Sequence, residues 1–203
     1  MIQAARTRGI RQVMITPNAC AAGHMMTVPR QMSACPQTVV YFQFDGLREE
    51  TYLTIRGEPL LDTKILALDR LADAGMSAVL VAAIERGVNT DEVGAIVEFG
   101  LQHPAVRGVV FQPVTHVGRH IPFDPMTRVT IPDIIHGIVD QSDSRFVLED
   151  FVPVPCCFPT CQVNSYIFVD GDTITPLPRL LDIDQYLDYS QPERASPSGR
   201  RPR

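Results

Sequence analysis

A nearly uninterrupted apolar run at residues 78–84 constrains the fold of this chain more than any other feature. All seven of its residues are aliphatic, and a strand of this kind has to be covered on both faces. Parallel sheets meet that requirement, because their crossover helices pack against the strands. The run therefore predicts an α/β fold built on a parallel sheet.

The sequence on either side of this run alternates between strand and helix patterns. Residues 39–44 are β-branched and aromatic and lead into Asp45 and Gly46, which predicts a second buried strand that ends in a turn. Two further strands are predicted at 12–16 and 108–114. Three helices are predicted: one at 48–55, one that begins at Asp62 and ends in a C-cap at Gly75, and one that begins after an N-cap at Thr90. Such alternation favours parallel strands with right-handed crossovers.

Composition limits the classes of function that remain open. The 203 residues are 45% hydrophobic and 20% charged, with a net charge of −5. This balance predicts a globular protein without a nucleic-acid-binding surface. There is no transmembrane segment or signal peptide in the sequence, which predicts a cytoplasmic protein. We expect three regions: a barrel-like domain at 1–150, a cysteine-containing segment with a β-hairpin at 151–190, and a disordered tail at 191–203.

Polar residues cluster where the predicted strands end. The alternation of the strand at 39–44 places Gln43 and Asp45 on one face. Arg86 and Asn89 follow the next strand, and Gln112 ends the one after that. Because the carboxyl ends of parallel strands share one edge, these five residues predict a ligand site. Two alternatives stay open: Asp45 caps the turn that follows it, and Arg86 is a surface residue paired with a nearby carboxylate.

Two further groups of residues could contact ligands. His116 and His120 follow the Gln112 strand and could touch a substrate, although histidines in such loops often face solvent. Three of the five cysteines crowd together as Cys156, Cys157 and Cys161, and in a reducing compartment such a group favours metal over disulfide. The alternative is a set of buried thiols in a proline-stiffened loop.

Several short motifs resemble the later half of the radical S-adenosylmethionine enzymes. The resemblance lies in the branch that holds the molybdenum-cofactor cyclase and, nearer still, the archaeal tetraether-lipid synthase group. Its motifs are Phe-Asp-Gly-Leu at 44–47, Glu-Thr-Tyr at 50–52, Arg-Gly at 56–57, Leu-Leu-Asp at 60–62, Glu-Arg-Gly-Val-Asn-Thr-Asp-Glu-Val at 85–93, Pro-Cys-Cys-Phe-Pro-Thr-Cys at 155–161, and Thr-Pro-Leu-Pro-Arg at 175–179.

The resemblance implies a fold, cofactors and residue roles. The fold would be a partial parallel (β/α) barrel that lacks its first strands. The cofactors would be S-adenosylmethionine and a [4Fe-4S] cluster, used by an oxidoreductase-like parent to form a 5′-deoxyadenosyl radical. Gln43 and Asp45 would line the cofactor or substrate side, Arg86 and Asn89 would contact the methionine or ribose part, and Gln112 would lie beside the adenine. Cys156, Cys157 and Cys161 would hold an auxiliary iron–sulfur cluster.

The chain departs from that family at the cluster motif. No Cys-x3-Cys-x2-Cys is present; Cys157 and Cys161 have the first spacing, but Asn164 stands at the third position. We therefore expect an amino-terminally truncated and, alone, inactive chain, whose first strand leaves an exposed edge that favours self-association. The substrate would be an unknown small or lipid-like molecule. The alternatives are a non-catalytic iron- or zinc-binding interaction module and an unrelated barrel enzyme that uses acids such as Asp45 and Glu85.

Overall fold

The computed structural model describes residues 4, 7–10, 13–16, 38–116, 124–154, 162–171 and 173–182. The backbone groups into two compact units, Met1–Thr130 and Ile131–Arg203. The domain boundary at residue 150 stays a prediction.

The first unit contains a four-stranded parallel sheet. Its strands β1 (Val13–Ile15), β2 (Thr38–Gln43), β3 (Ser77–Ile84) and β4 (Val106–Pro113) pair in the order in which they occur along the chain. The register aligns Gln43 with Val81 and Ala83 with Gln112. The predicted α/β class with a parallel sheet is confirmed, whereas closure of these strands into a barrel stays a prediction.

Three helices accompany this sheet: α1 (Glu49–Arg56), α2 (Leu61–Asp73) and α3 (Val93–Gln102). They cover the face of β2 that carries Val40, Phe42 and Phe44, as the predicted alternation of that strand implies, since these side chains are at most 2% exposed. Phe44 stacks on Phe99 of α3 at a ring distance of 5.0 Å. We call this side the helix-covered face and the opposite side, which carries Tyr41 and Gln43, the second face.

Helix α3 begins later than the sequence predicts. Thr90 was expected to cap it, but the helix begins at Val93 with Glu92 in the N-cap position. Residues 86–91 form turns instead, and the backbone N–H groups of Val88 and Asn89 donate to the carbonyl oxygen of Glu85. The predicted cap was wrong because this segment is held against the strand ends before the helix starts.

The second unit is made of short elements. Helix α4 (Ile131–Gln141) is followed by two antiparallel pairs: β5 (Val152–Pro153) with β6 (Val163–Asn164), and β7 (Ile167–Asp170) with β8 (Thr173–Pro176). The β7–β8 pair confirms the predicted hairpin. Asp150 is buried and accepts hydrogen bonds from Arg179 and from the Val147 N–H, which ties the segment after α4 to the segment after the hairpin.

No helix in the described part of the chain combines the length and the apolar character that crossing a membrane requires.

Candidate functional site

Asp45 occupies the centre of the polar cluster at the ends of β2 and β3. Its side chain is fully buried, and Arg56 from α1 approaches it with two nitrogens at 2.8 Å each. The Ala83 N–H donates to Oδ1 at 3.1 Å, and Gln43 Nε2 donates to the same oxygen at 2.7 Å. A buried charge requires such partners, so Asp45 holds α1 and both strand ends in one arrangement.

Asn89 makes a second tie between the same strands. It is fully buried, and its Nδ2 donates to the backbone oxygens of Asp45 and Ala83 at 2.7 and 2.8 Å. Its Oδ1 accepts from the Glu85 N–H at 2.9 Å. The amide therefore bonds three backbone groups at once, one of them just after β2 and two at the end of β3 or directly after it.

Glu92, which is not among the five predicted site residues, completes the cluster from the start of α3. It is 5% exposed and accepts from the Leu47 N–H at 2.6 Å and from the Thr51 hydroxyl. Arg48 lies 3.2 Å from it and binds Asp91 through two nitrogens. The hydrogen bond from Arg48 lowers the pKa of Asp91.

Glu92 can approach the turn this closely because residue 46 is a glycine. A Cβ at Gly46 would lie 2.7 Å from Glu92 Oε1.

Tyr52 is buried beneath these groups. Its hydroxyl donates to the Gly46 carbonyl oxygen at 3.0 Å. Burial, together with the negative charge of Asp45, raises the pKa of this phenol above its ordinary value of 10.0. Tyr52 therefore stays neutral and serves as a hydrogen-bond donor to the turn.

Arg86 and Gln112 take different positions at the same edge. Arg86 is exposed, and its guanidinium donates to the carbonyl oxygens of Thr127 and Arg128. It therefore restrains the segment after β4. Gln112 is exposed on the second face, where its Cα pairs with that of Ala83. The sheet thus brings Gln43, Asp45 and Asn89 together in one network, whereas Arg86 and Gln112 border it.

The predicted metal ligands Cys156, Cys157 and Cys161 lie outside the described residues, as do Cys20, Cys35 and His120. His116 follows β4 and is half-buried. Within the described ranges, no group of three His, Cys, Asp or Glu side chains could hold a metal ion. The iron–sulfur and zinc assignments stay predictions.

A cavity of about 530 Å³ lies beside the network rather than within it. It is lined by Arg48, Glu50, Thr51, Thr54, Gly87 and Val88. None of the five predicted site residues lines this cavity, which is bounded by the first turns of α1 and by the turn after β3. The predicted site residues lie at the strand ends and on the second face instead.

The fold and this cluster define a class: parallel α/β proteins whose polar groups gather where the strands end, the place where such proteins bind small ligands. A particular relative narrows the class. The chain is 33% identical over 215 aligned positions to the 7,8-dihydro-6-hydroxymethylpterin dimethyltransferase of Methanocaldococcus jannaschii. The alignment covers 93% of this chain and 42% of the relative, so the chain spans less than half of that protein's length. No protein-family model matches the chain.

This relative corrects the resemblance drawn from the motifs. We expected the molybdenum-cofactor cyclase and the tetraether-lipid synthase group as relatives, and that expectation is wrong, because the match is to a pterin dimethyltransferase. The motifs at 44–47 and 85–93 misled because they form the Asp45, Asn89 and Glu92 ties. Residues that join strand ends report a common architecture more than a particular substrate.

Proposed function

We propose that this chain is the ligand-binding α/β portion of a methyltransferase-type enzyme that uses S-adenosylmethionine and acts on a small pterin. The observation that carries the proposal is the 33% identity to a pterin dimethyltransferase across 93% of the chain. A pterin replaces the lipid-like substrate among the candidates.

The geometry of the strand ends supports a binding role. The ties made by Asp45 and Asn89 hold the ends of β2 and β3 rigidly, which lowers the cost of ordering the site when a ligand binds. Gln43 and Gln112 offer amide groups on the second face, with Val81, Ala83 and Val110 as apolar neighbours on that face by the sheet register. Amides beside an apolar floor suit flat nitrogen heterocycles, and both adenine and pterin are of that kind.

The proposal includes a partial barrel, a set of cofactor-binding residues and a reaction type. We place the four parallel strands in a partial (β/α) barrel, with Gln43, Asp45, Arg86, Asn89 and Gln112 as its cofactor-binding edge. The parent reaction would be radical chemistry, in which a [4Fe-4S] cluster supplies the electron that cleaves S-adenosylmethionine. The described residues offer no ligand set for such a cluster, so the proposed role of this chain is to bind and orient the ligands.

The non-catalytic metal-binding module is the weaker candidate. It predicts ligands among Cys156, Cys157 and Cys161, which lie outside the described residues. A relative that is an enzyme favours the methyltransferase-type reading instead.

Equilibrium dialysis tests the proposal. Folded chain should bind labelled S-adenosylmethionine and 6-hydroxymethyl-7,8-dihydropterin saturably. Gln112→Met should weaken the binding of at least one of them about tenfold, the value of one hydrogen bond. Gln102→Met is the matched control, because Gln102 is exposed at the end of α3, where its side-chain amide donates to Glu98. Failure of both ligands to bind at millimolar concentration, with the fold verified by circular dichroism, would refute the proposal.

A further inference from the structure

The side-chain amide of Gln43 has one possible orientation. Its nitrogen lies 2.7 Å from Asp45 Oδ1 and 2.9 Å from the Val81 carbonyl oxygen. Both of these oxygens accept hydrogen bonds, so the atom that faces them has to be the NH2 group, which has two hydrogens to donate. An amide turned the other way would place Oε1 against two acceptors. Hydrogen-bond chemistry therefore assigns the nitrogen and the oxygen without ambiguity.

Asp45 cannot move to release this amide. Arg56 contacts its two oxygens from Nε and from a terminal nitrogen, both at 2.8 Å, and the Ala83 N–H holds Oδ1 from β3. The carboxylate is fully buried, whereas one third of the Arg56 side chain is exposed. Two-point pairing between a guanidinium and a carboxylate fixes direction as well as distance. Arg56 thus determines where Asp45 lies, and Asp45 determines which way Gln43 turns.

The remaining atom of the amide is an unused acceptor. Gln43 Oε1 makes no hydrogen bond within the ranges that the structure describes, since the bonds of this side chain all leave from Nε2. It lies on the second face, where Gln43 pairs with Val81 of β3, and Gln112 of β4 pairs with Ala83, two residues further along β3. Two strand spacings across the sheet and an offset of two residues along it place the Cα atoms of the two glutamines roughly 12 Å apart.

We propose that Gln43 is a specificity-determining residue that accepts a hydrogen bond from an exocyclic amino group of a flat nitrogen heterocycle, and that Arg56 and Asp45 are its positioning residues. The proposal deepens the proposed function and rests on it. An acceptor with a fixed direction raises the affinity for a ligand that places a hydrogen-bond donor opposite it. It lowers the affinity for a ligand that places an oxygen, or no polar group, at that position. Pterin and adenine both carry an amino group that meets this requirement.

Matched ligand pairs show whether the amino group that Gln43 accepts from belongs to a pterin or to an adenine. 6-Hydroxymethylpterin is compared with the corresponding lumazine, in which a carbonyl replaces the amino group, and adenosine is compared with purine riboside, which lacks it. The unaltered chain should prefer the amino-bearing member of one pair by about tenfold. The responding pair identifies the heterocycle that lies against Gln43.

Substitutions test the mechanism of that preference. Gln43→Met keeps the length of the side chain, removes the acceptor and leaves Asp45 with its bonds to Arg56 and Ala83, so the preference should vanish while the amino-free ligand binds as before. Arg56→Lys should reduce the preference, because one ammonium cannot hold both carboxylate oxygens in the same geometry. Gln102→Met is the control for a surface glutamine.

Each result decides the proposal. Loss of preference in Gln43→Met, with unchanged circular dichroism, supports it. A preference that survives Gln43→Met, an equal loss of affinity for both members of a pair, or the absence of any preference in the unaltered chain overturns it. The test of this inference is the ratio of affinities within each ligand pair. A chain that binds S-adenosylmethionine or the pterin, but binds both members of each pair equally well, would therefore refute this inference and leave the proposed function standing.

Discussion

At the scale of single residues, the candidate site is organised by buried polar groups that act on the backbone. Asp45, Asn89 and Glu92 are each at most 5% exposed, and together they bond the backbone of the turn after β2, the end of β3 and the turn after β3. The sequence indicated Asp45 and Asn89 by their place after apolar strands. It could not indicate Arg56 as the partner of Asp45, because that pairing depends on how α1 lies against the sheet.

Replacing Asn89 with alanine should destabilise the first unit strongly. The change leaves the carbonyl oxygens of Asp45 and Ala83 and the Glu85 N–H without their buried partner. At about 1 kcal/mol or more for each orphaned group, the free energy of unfolding should fall by at least about 3 kcal/mol. Hydrogen exchange of the Glu85 amide and urea denaturation measure the effect. Asn164→Ala, which removes only exposed hydrogen bonds, should cost little; comparable losses in both variants would contradict this account.

Tyr52 should make stability depend on pH in the alkaline range. Its folded-state pKa is raised above 10.0, chiefly by burial, so the native state keeps a proton that the unfolded chain loses. The contribution is fully present below about pH 10, the ordinary pKa of tyrosine, and is lost as the pH rises beyond it.

Denaturation curves at several pH values above and below 10 test this prediction through Tyr52→Phe. The variant loses the hydrogen bond to the Gly46 carbonyl oxygen and should be about 1 kcal/mol less stable at neutral pH. Its stability should nevertheless fall less steeply with pH than that of the unaltered chain. Parallel slopes for the two proteins would show that the phenol does not titrate as its burial implies.

At the scale of elements, local patterns predicted most of the first unit. Each strand of the parallel sheet was foreseen, because runs such as that of β3 are recognisable without their partners. The start of α3 was not foreseen, since Asn89 pins the preceding turn through contacts with β2 and β3. Secondary structure could be predicted where it depends on periodicity, and could not be predicted where a distant hydrogen bond decides the boundary.

Packing of α3 on the sheet depends on the absence of a side chain at Gly100. A Cβ at that position would lie 2.6 Å from Val109 Cγ2 of β4. Although alanine is favoured over glycine within helices by about 1 kcal/mol, the overlap should make Gly100→Ala destabilising by about 1–3 kcal/mol. Val109→Ala in the same chain should recover part of the loss. Thermal melts of the two single variants and the double variant measure the coupling, and strictly additive effects would argue against this contact.

At the scale of the whole molecule, the comparison with the pterin dimethyltransferase shows that the chain matches only part of a longer enzyme. The chain corresponds to 42% of the pterin dimethyltransferase, so binding and chemistry need not reside in the same stretch of sequence. The sequence predicted the binding edge from Gln43, Asp45, Asn89 and their neighbours. It misjudged the relative, because hydrogen-bonding ties at strand ends are shared by proteins that bind different molecules. Under the proposed function, substrate recognition depends on groups such as Gln43 Oε1, whose direction only the folded network fixes.

The last prediction concerns activity. Reductive cleavage of S-adenosylmethionine requires an electron delivered through an iron that is open to the cofactor, which three closely spaced cysteine thiolates provide in the radical enzymes that the motifs resemble. Residues 1–203 contain no Cys-x3-Cys-x2-Cys, since Asn164 stands where Cys157 and Cys161 would need a third partner. We therefore expect that this chain, reconstituted with iron and sulfide and reduced with dithionite, binds S-adenosylmethionine without forming 5′-deoxyadenosine. Chromatography checks the outcome against a protein-free control and against Cys157→Ser/Cys161→Ser. Stoichiometric 5′-deoxyadenosine that disappears in the double variant would mean that the cysteines near the C-terminus hold a working cluster.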